Sequence, residues 1–185
     1  SEDEFGVAEK IATGVTDAFK YRISGLEGST TYYYALSISN NGGVGGAHLN
    51  RMKTPGVEVV DDFIRAKSYN FFCPNFLKLQ GHETELEHDA DDLLRLIAPR
   101  LVYISSGAID AGAGPEGEFE AARRASSEWV KHGKTGLALK AYPKPVTISH
   151  EGSIGYHLRA DGHAPSEWDW LRFLDFADRH LLQGE

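Results

Sequence analysis

One cysteine, Cys73, is all the chain holds. A single thiol closes no internal disulfide and builds no Cys-rich zinc motif, so cysteine usage leaves the redox compartment open. Between Phe72 and Pro74, Cys73 is expected to be a small buried hydrophobe rather than a nucleophile. Long hydrophobic runs are missing as well. No apolar stretch nears the ~20 residues of a membrane span, so no membrane partner is expected. Positive charge is short: 19 Lys and Arg stand against 27 Asp and Glu, for a net charge of -8. Nucleic-acid binding rests on clustered Lys and Arg facing phosphates, and this balance argues against it. A neutral or sugar-like ligand is compatible with it. The opening residues show no signal-peptide pattern, and a Ser at position 1 is expected of a processed, trimmed or partial chain.

What is present suits one globular domain over residues 1–185, with residues 1–34 atypical. Hydrophobic residues are 41% and charged residues 25%, an ordinary balance. "EKIATG" (9–14) and "YYYALSIS" (32–39) read as strands, the second stopped by "NNGGVGG". Residues 47–88 show no clear period. "DADDLLRLIAPR" (89–100) reads as a helix with Leu93, Leu94 and Ile97 as its apolar face. "LVYISS" (101–106) is a continuous apolar run typical of a strand covered on both sides. A helix over 118–133, a strand over 153–162 and a helix over 166–182 follow. Ser166 is the N-cap of the last helix, with Asp169 three residues on. Trp170, Leu174, Ala177 and Leu181 are expected to form its buried face. The alternation predicts an α/β layered fold with a largely parallel sheet.

In such folds the reactive groups sit in loops at the carboxyl ends of strands. Asp110 follows "LVYISS", and His163 follows the next strand in "RADGHAPSEWDW". An ester hydrolase with a nucleophile–acid–base chain order needs this pair in this sequence. The G-x-S-x-G elbow that would precede them is absent. "IATGVTDAFKY" (11–21) puts Thr16 at a turn, with Asp17 and Phe19 where small or neutral residues are wanted. His82 and His88 match no standard zinc spacing and read as part of a solvated acidic loop. The pair Trp168 and Trp170 reads as core and rim packing. "GGVGG" lacks the G-x-G-x-x-G spacing of a dinucleotide site.

Several longer stretches resemble the glucuronoyl esterases, carbohydrate esterase family fifteen. "ISNNGGVGGAHLNR" (38–51), "SYNFFCPNF" (68–76), the stretch from Glu83 to Phe119 and "IGYHLRADGHAPSEWDWLRFLDFADRHL" (154–181) are each similar to a family segment in order. The resemblance runs from Ala35 to the C-terminus. It implies an α/β-hydrolase-like three-layer sandwich that lacks its N-terminal strands. It also implies cleavage of esters of glucuronic acid or related carbohydrate esters. The partner is then a small-molecule or polysaccharide ester, with no cofactor and no metal, in a secreted or periplasmic setting. His163 falls on the family's catalytic histidine and Asp110 on the acid of many bacterial members. Asn41 falls where other members carry a Glu, and an amide cannot be the acid. Thr16 falls on the nucleophile. Lys20, Glu85 and Phe71 fall on or near substrate-contacting residues. Asp17, Phe19, Asp91, Gly112 and Gly114 depart from the family pattern. The alternative is a non-catalytic or remodelled relative that binds carbohydrate or a protein partner. Residues 15–46 also resemble the second half of a fibronectin type III module, which implies a binding or spacer β-sandwich.

Overall fold

The structure, a computed structural model, describes residues 8–11, 18–21, 36–67 and 72–181. The chain divides into two compact units, residues 1–34 with 184–185, and residues 35–183. The division falls where the atypical first segment ends. In the first unit, β1 (Ala8–Ile11) pairs antiparallel with β2 (Ala18–Tyr21), with Glu9 opposite Lys20. Thr16 lies between them, outside the described residues.

The second unit holds a four-stranded sheet in the order β3 (Leu36–Asn40), β4 (Leu101–Gly107), β6 (Ile154–Arg159), β5 (Thr147–Ser149). β3, β4 and β6 are parallel, and β5 runs antiparallel on β6. The sheet is therefore mixed. The three residues of β5 are too few to carry a readable alternation, and the sequence reading passed over them. The helices are α1 (Val60–Arg65), α2 (Pro74–Leu77), α3 (Ala90–Arg95), α4 (Pro115–Lys131) and α5 (Glu167–Leu181). Two of these, α1 and α2, are short turns in the stretch that shows no period in sequence.

Side chains alternate across the central strands with period two. Val102 and Ile104 of β4, with Ile154, Tyr156 and Leu158 of β6, join Phe119, Ala122 and Trp129 of α4 in the larger core. Tyr103 turns the other way and packs with Phe173 and Phe176 of α5. The result is a three-layer arrangement with α3 and α4 on one face and α5 on the other. Gly155 sits under the second layer, where a Cβ would run into Tyr103 and Phe176.

Two helix faces differ from the sequence reading. In α5 the buried residues are Asp169, Phe173 and Phe176, with Trp170, Leu174, Ala177 and Leu181 only half-buried. The bulkier aromatic rings fill the space beside Tyr103, and the aliphatic stripe is rotated to the rim. In α3, Leu94 is buried but Leu93 is 64% exposed. That helix covers only six residues, so a full stripe never forms. Cys73 is exposed, not buried, because it stands before the short surface helix α2 rather than inside the core.

Candidate active site

The parallel ladder between β4 and β6 continues past both strands. Ala108 N–H donates to Arg159 O at 2.9 Å and Ile109 N–H to Asp161 O at 3.3 Å. The two loops therefore leave the sheet side by side. Gly107 allows this, since a Cβ there would meet the carbonyls of Asp161 and Gly162. Beyond the ladder, His163 Nδ1 lies 2.8 Å from Asp110 Oδ2. The structure thus brings together the two residues that chain order and the family resemblance had paired.

An ionised carboxylate only accepts, so Nδ1 carries the proton and Nε2 is the basic nitrogen. The His163 side chain is 75% exposed and that of Asp110 16%. The imidazole faces outward and the carboxylate is shielded.

Asn41 holds the pair together from the end of β3. Its Nδ2 donates to Asp110 Oδ2 at 2.7 Å, to Gly162 O at 3.1 Å and to His163 O at 3.2 Å. Its Oδ1 accepts the Gly107 N–H at 2.7 Å. Asn41 adopts a left-handed backbone with φ 43°, which Asn tolerates better than most residues. Sequence reasoning noted this residue only as unfit to be the acid. The readable signal was an amide at the carboxyl end of a strand, immediately before a glycine run.

Beneath Asn41, Glu118 is fully buried. Its carboxylate accepts the Gly42 N–H and the Ser106 hydroxyl, each at 2.6 Å. Burial outweighs these bonds and pushes its pKa up to about 7 from 4.5. The folded chain then keeps a proton that the unfolded chain gives up between those values. The stabilisation from Glu118 is full below pH 4.5 and falls as pH rises through about 7, by about 3 kcal/mol. Buried His48 and His157 and half-buried His150 act oppositely, because desolvation lowers each below 6.5 and their contribution is lost as pH falls. Glu118→Gln isolates the carboxylate. Its stability relative to wild type, from urea unfolding at pH 4.5 and 8, is expected to rise by about 3 kcal/mol at the higher pH.

The pair opens on a cavity of about 470 Å³ whose walls include Asn41, Gly43, Glu58, Phe63 and Phe72. The Phe72 ring meets Phe63 edge-on and stacks on Phe76. A larger cavity of about 940 Å³ is walled by Phe76, Leu86, Leu93 and Leu96. Its one His–carboxylate pair, His88 with Asp92, is a surface i, i+4 contact with His88 79% exposed. Shielding of the acid and convergence of three strand ends favour the smaller cavity as the reactive one.

The remaining candidates are placed as follows. Glu85 is exposed on the turn Glu83–Glu85, pairs with His82 at 3.1 Å, and does not line the smaller cavity. Lys20 is on β2 of the first unit. Thr16 and Phe71 lie outside the described residues. Trp168 packs on the His157 ring and under Arg172, and Trp170 on Phe173.

The fold of this unit recurs in known proteins. No family model matches the chain. Carbohydrate esterase MZ0003, from an unknown prokaryotic organism, is 36% identical over 154 residues, 82% of this chain and 34% of that protein. A promiscuous CE15 esterase from a marine bacterial metagenome has a TM-score of 0.73 at 37% identity, over 80% of this chain and 36% of that one. The chain is a relative of the CE15 carbohydrate esterases. A CE15 glucuronoyl esterase from Teredinibacter turnerae matches with a TM-score of 0.70 and 29% identity, over 78% of this chain and 34% of that one. The chain spans about a third of the length of these CE15 relatives. The α/β-hydrolase-like sandwich expected from sequence is the fold they share with it.

Proposed function

We propose that this CE15 relative is a carboxylic ester hydrolase acting on esters of glucuronic acid or related carbohydrate esters. His163 is its base and Asp110 orients that base. The observation that carries the reading is the 2.8 Å His163–Asp110 bond at the carboxyl ends of two adjacent parallel strands. With Nδ1 holding its proton against Asp110, Nε2 takes the proton of an attacking hydroxyl and returns it to the leaving alcohol. The carboxylate also stabilises the imidazolium that forms between those steps. Thr16 is the positional candidate for the hydroxyl. The chemistry needs no cofactor from this residue set. The likeness to glucuronoyl esterases carries a secreted or periplasmic setting with it.

A second reading is binding without turnover. It is favoured by the first unit, where the strands on either side of Thr16 pair antiparallel. A strand on each side differs from the strand and helix that flank a hydrolase elbow.

Hydrolysis of a methyl or aryl ester of glucuronic acid by the purified chain separates the two. The esterase reading expects turnover that His163→Ala reduces to background. It also expects a covalent fluorophosphonate probe to label one hydroxyl, located by peptide mass mapping. Wild-type turnover at the level of buffer, with no label, leaves the binding reading.

A further inference from the structure

We infer that Arg159 is a positioning residue for His163, holding the turn that aims the imidazole at Asp110. This rests on the assignment of His163 as the base. Arg159 ends β6, and its side chain is only 4% exposed. Its Nη2 donates to Gly162 O at 2.6 Å and to His163 O at 2.9 Å. Its Nε lies 3.1 Å from Gly162 O and 2.7 Å from Asp161 Oδ1. Its Nη1 reaches Asn40 Oδ1 at 2.8 Å and Asp169 Oδ1 at 2.9 Å. The whole planar fork is thus engaged, with one side on the turn and the other on two anchors.

Both anchors are themselves fixed. Asn40 Oδ1 also accepts the Ser105 hydroxyl at 2.8 Å, and Asn40 Nδ2 donates to His163 O at 3.1 Å. Asp169 is fully buried at the start of α5 and also meets His157 Nε2 at 2.7 Å. Its second oxygen accepts the Ser166 N–H and hydroxyl at 2.7 Å. The clamp therefore ties the β6 turn to β3 below it and to the cap of α5 beside it. A well-packed apolar residue would stabilise the layer as well as a buried cation does. What an apolar residue cannot do is grip two successive carbonyls of the turn that carries the base. Lys cannot either, because its ammonium is a point donor without the fork.

The test is the ring tautomer of His163 in the full chain, read from ¹⁵N shifts of labelled histidine above the ring's titration. Wild type is expected to hold the Nδ1–H form that Asp110 imposes. Arg159→Lys keeps a cation beside Asp169 but is expected to release His163 to the mixture of a free imidazole, dominated by Nε2–H. His48, bonded through Nδ1 to Gly114 O in another part of the unit, reports that the fold is intact. Should Arg159→Lys fail to fold, Asn40→Ala removes one anchor and is expected to move the His163 tautomer in the same direction. Where the wild type cleaves the ester, the Lys variant is expected to lose about 10²-fold in kcat at little change in KM. A folded Arg159→Lys protein with the wild-type His163 tautomer overturns the inference, as does a wild type lacking the Nδ1–H form. Absence of ester cleavage by wild type counts against the proposed function alone, since the tautomer comparison stands without it.

Discussion

Asp110→Ala is expected to lose on the order of 10⁴-fold in kcat for ester cleavage, with a much smaller change in KM. On the proposed function, the carboxylate does two things for His163: it holds Nδ1–H and it stabilises the imidazolium formed in the transition state. Alanine removes both. It also deprives Asn41 Nδ2 of one acceptor, so the strut at the end of β3 loosens with it. Asp110→Asn is expected to lose less. His163 and Asn41 both donate to the same oxygen, Asp110 Oδ2. An amide oxygen at that point can accept from both, so the ring keeps its proton on Nδ1 while the negative charge is gone. The ratio of the two variants, from kcat on the same ester, separates orientation from electrostatics. Equal losses would mean that the shared oxygen gives no orienting advantage.

Asp169→Ala is expected to cost about 3–5 kcal/mol, the range for removing one partner of a buried ion pair. Asp169 is fully buried against Arg159 and His157, and its loss leaves the buried guanidinium with only the solvent-exposed Asp161 as counter-ion. Burial alone would raise this carboxyl, but the bonds from His157, Ser166 and Arg159 outweigh it and hold the group well below the usual Asp value. For a unit of this size the loss corresponds to roughly a 10 °C drop in melting midpoint. Asp161 is the control. It approaches the same guanidinium at 2.7 Å, yet its side chain is 66% exposed. Solvent screens that pair, and Asp161→Ala is expected to stay within about 1 kcal/mol of wild type. Urea unfolding of the two variants decides whether distance or burial governs the strength of these contacts.

The sequence made the central α/β elements legible because each carries a strong local signal. β4 is an apolar run of strand length, α4 is preceded by glycine and proline, and Ser166 caps α5. Asp110 and His163 were paired through chain order and family likeness, and the structure sets them 2.8 Å apart. Their supporting residues were not. The Asn41 side chain bonds to partners 66 to 122 positions away, and no local pattern announces such contacts. Asp169 reads as a capping residue, which it is through one oxygen. Its other oxygen serves Arg159 and His157, and only the packing of α5 across β6 reveals that. Arg159 reads as the polar end of a strand, although it is nearly as buried as the hydrophobic residues before it. β5 was missed because three residues on a sheet edge leave no period. The exposed position of Cys73 was missed because its aromatic neighbours suggested a core that the short helix α2 does not enter.

Among the described residues, the bonds that hold the His163 turn run between Asn40 and Asp169. The turn that carries the imidazole is therefore held by bonds within the second unit itself. On the proposed function, the proton acceptor is fixed by this unit's own bonds before a hydroxyl reaches it.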